Sequence, residues 1–180
     1  MTTRLKSKLD YSDYADLPND GNRYEIIDGD LYVTPAPGPA HQHALGKLFR
    51  CLQDYFEARG IGEVFFAPID LILTVRDVVQ PDLVVTESRQ VSARGIEGAP
   101  LLVVEILSPS TRGQDRNVKA QRYATLGVPH YWIVDPEARR LECYRLEGGA
   151  YALVVEGAGS AEIGHPDWPG LTIALTRLWR

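Results

Sequence analysis

With 180 residues, 44% hydrophobic and 24% charged, the chain has enough apolar material to bury a core without metal or disulfide staples, and its composition excludes disorder and collagen-like repeats. Its formal net charge of −5 argues against a protein that coats nucleic acid, which needs cations over a broad surface, but leaves room for a local site. Cys51 and Cys143 lack metal-ligand spacing and are expected as free thiols in a reducing compartment; MTTRLKSKLD at the N-terminus has no signal-peptide core and no segment is apolar enough to span a bilayer, so a cytoplasmic location is expected.

The first clear element is RYEIIDGDLYV, where Asp28-Gly29 joins two alternating runs as a tight hairpin turn. After the breaker TPAPGPA, residues His41 to Arg59 carry Leu45, Leu48, Phe49, Leu52, Tyr55 and Phe56 at helical spacing, and Gly60 ends the helix. EVFFAP, IDLILTV and QPDLVVT read as strands because of their β-branched and aromatic content. A loop with Gly95, Gly98 and Pro100 leads into the strand LLVVEIL, which SPSTRGQ breaks. A shorter helix from Asp115 to Leu126 stops at Gly127 and Pro129. HYWIVD, RLECYRLE and YALVVE are strands, and DWPGLTIALTRLW is a returning strand or short helix. The pattern predicts one domain, 1–180, of α/β (α+β) class with a central mixed sheet and an N-terminal β-hairpin.

Two carboxylates stand inside apolar strands: Asp82 in VVQPDLVV and Glu105 in LLVVEILSPST. A buried ionised group without a partner costs several kcal/mol or about that order, so these positions require an explanation. Alternation puts Glu105 on one face with Leu101, Val103 and Leu107, and Asp82 opens its strand after Pro81, where an edge or bulge is expected. Two carboxylates brought together repel unless a proton, a cationic side chain or a metal lies between them, and a hard cation such as Mg²⁺ suits oxygen ligands. On the following helix Lys119 shares a face with Asp115, Tyr123 and Leu126 and points at the sheet if they do. Arg112, Arg116 and Arg122 gather around it.

Pro81-Asp82 followed by Glu105-Ile106-Leu107 resembles the PD-(D/E)xK nuclease motif of the restriction-endonuclease-like fold. More closely, YEIIDGDLYVTPAPGPAHQ, VVQPDLVV, VVEILSPST and GVPHYWIVDPE resemble the Uma family of "putative restriction endonucleases", from about Tyr24 to Tyr144. The motif lysine would fall at Leu107, and Lys119 on the next helix is the residue that matches it instead. The resemblance implies a Mg²⁺-dependent endonuclease, with Mn²⁺ as substitute, acting on nucleic acid, DNA first. It implies metal ligation by Asp82, Glu105 and the main-chain carbonyl of Ile106, and assistance to the attacking water by Lys119. His41 falls where the family has a motif histidine, and Glu25 and Asp70 are further candidates. A homodimer would suit the cutting of two strands with one site per chain.

Plainer readings compete with these. Asp82 can be a strand-entry residue bonded to backbone N–H groups, Glu105 and Lys119 a structural buried ion pair, and Lys119 a surface partner of Asp115. His41 can bond near its helix start, Glu25 and Asp70 can face water, and Tyr123 and Trp132 can be core aromatics. General acid/base chemistry on a sugar lacks an aromatic platform. Against the nuclease stands a catalytically inactive member of the same fold that binds nucleic acid or a protein, a reading favoured by the acidic net charge.

Overall fold

A computed structural model describes residues 8–180; residues 1–7, with most of the basic N-terminal stretch, lie outside it. A short helix α1 (Tyr11–Ala15), which the sequence reading does not contain, is capped by the Asp10 carboxylate accepting from the N–H groups of Ser12 and Asp13. The expected hairpin is β1 (Arg23–Ile27) and β2 (Asp30–Thr34); Asp28 and Gly29 have φ of 50° and 77°, the left-handed pair that a two-residue turn needs to follow the strand twist.

Helix α2 (Pro39–Phe56) starts with proline in its first turn and buries His41, Ala44, Leu45, Leu48, Leu52, Tyr55 and Phe56 along one stripe. The chain then forms β3 (Glu63–Phe66), β4 (Leu71–Thr74), β5 (Asp77–Val79) and β6 (Leu83–Thr86). The stretch expected as loop contains two short strands, β7 (Val91–Ser92) and β8 (Gly95–Glu97), before the apolar β9 (Leu102–Ile106). A π-helical segment, Gln114–Lys119, runs into α3 (Ala120–Thr125), and Gly127 at φ 79° ends it. β10 (His130–Asp135), β11 (Arg140–Glu147) and β12 (Ala150–Ala158) form a meander. The tail adds β13 (Glu162–Gly164), β14 (Thr172–Ala174) and a 3₁₀ turn over Leu175–Arg177.

The mixed α/β class stands, but the strands divide between two six-stranded sheets, where a single central one was expected: β2-β1-β5-β4-β8-β7 and β12-β11-β10-β9-β6-β3, with β13 and β14 paired as a separate ribbon. The division occurs at Gln80-Pro81-Asp82. β5 ends in the first sheet, proline offers no N–H to continue a ladder, and the chain re-enters as β6 in the second. In that second sheet β9 lies between β6, antiparallel, and β10, parallel.

Two apolar layers hold this arrangement. Leu102, Val104 and Ile106 of β9 pack with Leu83, Val85 and Trp132 against Leu48, Leu52 and Phe56 of α2. Val103 and Leu107 point the other way, with Val84, Ile133, Tyr123 and Tyr131, onto Ile27, Leu71, Val79 and Ile96 of the first sheet. Glu105 belongs by alternation to this second layer. Cys51 and Cys143 are free thiols. No helix among the described residues is long and apolar enough to cross a membrane.

Candidate active site

Where the chain passes between sheets, the β6–β9 pairing runs Leu83 against Val104 and Val84 against Val103; one step further places Asp82 opposite Glu105. Both carboxylates are buried, and both line one small cavity with Arg23, His41, Ile106, Ser108, Thr111, Asp115 and Lys119.

Asp82 is fully engaged. Arg23 donates from Nη1 at 3.2 Å and Nη2 at 3.1 Å to Oδ1, while Oδ2 lies 3.0 Å from His41 Nε2 and accepts the Ile106 N–H at 2.8 Å. Burial works against its ionised form, but the hydrogen bond and charge of His41, the charge of Arg23 and the Ile106 N–H outweigh it and hold the carboxyl below the ordinary range.

Glu105 is the opposite case. Its Oε1 accepts from Lys119 Nζ at 3.0 Å and from the Tyr123 hydroxyl at 3.0 Å. Burial pushes its carboxyl well above the ordinary range; Lys119 opposes the shift, and the charges of Asp115, Asp82 and Glu25 add to it. Asp115 is raised in the same sense, mainly by burial, and its Oδ1 is buried without a hydrogen bond, 3.6 Å from Lys119 Nζ. Burial alone would lower the Lys119 ammonium pKa, but Glu105, Glu25 and Asp115 outweigh it and keep the group charged.

Glu25 completes the group. Its Oε1 accepts from Lys119 Nζ at 2.9 Å and from the Gln80 N–H at 2.9 Å. Glu25, Asp82, Glu105 and Asp115 therefore face Arg23, Lys119 and a histidine, so carboxyl groups outnumber the cationic side chains, and the raised Glu105 and Asp115 carboxyls show that those cations do not neutralise them all. That excess, the unbonded Asp115 Oδ1 and a donor set made of oxygens fit a hard divalent cation. Asp82, Glu105 and the Ile106 carbonyl are the groups that would hold it.

Of the residues singled out from sequence, Asp82, Glu105, Lys119, Ile106 and His41 come together here. Glu25, whose plainer reading was a water-facing residue, is buried among them. Asp70 does not join: it accepts from the Tyr14 hydroxyl at 2.6 Å and from Gln80 Nε2 at 2.9 Å. Tyr123 is a core aromatic that also bonds Glu105. Sequence reasoning missed Arg23, although Arg23 and Glu25 stand two apart on one strand and so share a face. The expected basic loop is neutralised: Arg112 pairs with Asp135 at 2.6 Å, Arg116 with Glu142 at 2.7 Å and Arg122 with Asp77 at 2.7 Å.

A family model for Uma2, described as "Putative restriction endonuclease", matches residues 11–176. A crystal structure described as "a putative nuclease belonging to DUF820", from Anabaena variabilis ATCC 29413, has the same fold. The TM-score is 0.76, covering 94% of this chain and 97% of that one at 17% sequence identity. Comparison with curated proteins gives no match.

Proposed function

This chain belongs to the Uma2 family, and on that premise we propose that its residues 1–180 form one divalent-metal-dependent nuclease unit acting on DNA, with Mg²⁺ as the ion and Mn²⁺ as its substitute. The observation that carries the reading is the pairing of Asp82 with Glu105 at the sheet crossing, inside a buried cluster richer in carboxylates than in cations. Such an ion, when bound, lowers the pKa of a water and neutralises charge developing on a phosphodiester.

The chain's own groups divide the remaining work. Lys119, held charged between Glu25 and Glu105, orients the attacking water with its ammonium and stabilises negative charge next to it. Arg23 has a side chain 20% exposed, against 3% for Asp82, so it can leave Asp82 and turn its guanidinium to a phosphate at the cavity mouth. His41, bonded through Nε2 to Asp82, fixes that carboxylate's orientation. Burial of the cluster beside the apolar layers lowers the local dielectric, which strengthens each of these interactions. A cytoplasmic homodimer is the assembly we propose for double-strand cleavage.

Titration of Mn²⁺ followed calorimetrically, with cleavage of a DNA duplex in parallel, tests the reading. We expect one ion at the Asp82 cluster per chain and cleavage that requires it. A second reading is an inactive nuclease-fold protein that binds a partner; the ion-paired state of Arg112, Arg116 and Arg122 favours it, since little free cationic surface remains there. Metal binding without cleavage supports that reading, and absence of metal binding at the cluster refutes the nuclease.

A further inference from the structure

Away from the carboxylate cluster, the start of β10 meets the loop between β13 and β14, and three side chains of metal-binding type converge there. His130, His165 and Asp167 each offer a ligand atom, and these atoms all lie within 4.8 Å of one another. Each residue also has a buried polar atom that nothing satisfies: His130 Nδ1, His165 Nε2 and Asp167 Oδ2. His165 is only 6% exposed, so water does not serve it readily. Buried polar atoms left unpaired are costly, and one on each of three neighbouring metal-binding side chains calls for a common partner.

Internal pairing does not supply it. His130 Nδ1 and Asp167 Oδ2 stand 4.0 Å apart, beyond hydrogen-bond reach, and the other Asp167 oxygen is taken by Arg145 Nη1 at 2.6 Å. His165 Nδ1 accepts the Asp167 N–H at 3.2 Å; ligation through either ring nitrogen costs that one long hydrogen bond. Rings hold the imidazoles in place: Trp168 lies 4.3 Å from both His130 and His165, and Trp132 stacks on His165 at 5.3 Å.

We propose that His130, His165 and Asp167 form a second metal site, separate from the carboxylate cluster and specific for a borderline divalent ion, Zn²⁺ first. Two imidazoles and one carboxylate are the donor set such ions select, whereas Mg²⁺ prefers oxygen alone. Tetrahedral Zn²⁺ with bonds of about 2.0–2.1 Å holds its ligand atoms about 3.3 Å apart. The His130–Asp167 pair at 4.0 Å therefore closes by less than about 1 Å, and since all three ligand atoms lie within 4.8 Å of one another, no pair closes by more than about 1.5 Å. Asp167, with 27% of its side chain exposed, leaves the fourth position open to water from the surface. The ion would tie the loop between β13 and β14 to the N-terminal end of β10, joining the C-terminal segment to the second sheet.

The test is a Co²⁺ and Zn²⁺ titration of the full chain in excess Mg²⁺, read by Trp fluorescence and by the visible bands of Co²⁺. We expect one Co²⁺ per chain to quench emission, because Trp168 touches both imidazoles, and Zn²⁺ to displace it and raise the melting temperature. Asp167→Asn, an isosteric change at a part-exposed residue, should weaken Zn²⁺ at least tenfold while melting like the parent without metal, and His130→Gln should do the same. Quenching and affinity unchanged in both variants would overturn the proposal. So would a parent protein that takes up no Co²⁺ in excess Mg²⁺, whatever the variants do.

Discussion

Glu105→Gln separates a metal-binding carboxylate from a structural ion-pair partner. Glutamine keeps an oxygen where Oε1 stands, so the Lys119 and Tyr123 donors, both at 3.0 Å, retain an acceptor. Lys119 is not left alone, because Glu25 remains at 2.9 Å and Asp115 at 3.6 Å. What disappears is a carboxyl whose ionised form is opposed by burial and by Asp115, Asp82 and Glu25. Relief of that kind stabilises by about 1 kcal/mol or more, where loss of a sole partner would cost about 3–5 kcal/mol. For a chain of this length we expect the metal-free melting temperature to rise by about 2–4 °C per kcal/mol.

The pH dependence provides the control. The folded carboxyl of Glu105 is raised above its unfolded value, so the folded state binds the extra proton, and the associated stability is present at low pH and lost as pH rises through the raised value. The advantage of glutamine should therefore be clear near about pH 8 and vanish near about pH 4, where the parent is already protonated. Thermal melts by circular dichroism in a chelator measure both points. A variant that melts about 6 °C or more below the parent at the higher pH would rule out relief of carboxylate repulsion and establish Glu105–Lys119 as a structural pair.

Asp82→Ala should behave in the contrary way, losing about 3–5 kcal/mol, because Arg23, His41 and the Ile106 N–H all lose their acceptor; urea unfolding checks it, and a neutral effect would contradict the bonding described. Since the Asp82 carboxyl is held below its ordinary range, its contribution is present at neutral pH and lost as pH falls through that lowered value, so the parent's advantage over Asp82→Ala should shrink in acid. Lys119→Ala should retain metal binding, lose cleavage under single-turnover conditions and lose stability by about 3–5 kcal/mol, as it strands Glu25 and Glu105. Adding Leu107→Lys should restore part of the cleavage, because position 107 shares the face of Glu105, and only part, because Leu107 fills the apolar layer. Gly95→Ala should cost more than about 1–3 kcal/mol, since a Cβ there would stand 2.3 Å from the Asp70 carbonyl oxygen at φ 135°; a variant melting like the parent would contradict that contact.

Much of the site was legible because its chemistry conflicts with its surroundings: a carboxylate inside VVQPDLVV and another inside LLVVEIL cannot be ordinary core residues. Period-two alternation located Glu105 on the correct face, and helical spacing aimed Lys119 at it. Arg23 escaped because a lone arginine opening a hairpin strand resembles any exposed strand end, and only the turn at Asp28-Gly29 and the pairing of Ile26 with Val78 carry it to Asp82. The split into two sheets escaped for a related reason. Pro81 signals an interruption, but periodicity does not say whether the chain resumes in the same sheet. The strands β7 and β8 were hidden by Gly95, which reads as loop and is required where Ile96 N–H bonds the Asp70 carbonyl at 2.8 Å. His130 and His165 are 35 positions apart in sequence, so no spacing motif announces them.

The central claim, that the carboxylates at the sheet crossing hold a catalytic cation, is tested most directly by anomalous diffraction from crystals of the protein soaked in Mn²⁺. An anomalous peak bounded by Asp82, Glu105 and the Ile106 carbonyl is expected, absent from crystals of Glu105→Gln. No Mn²⁺ peak at that cluster at saturating concentration, in crystals whose Asp82 and Glu105 are free of lattice contacts, would contradict it.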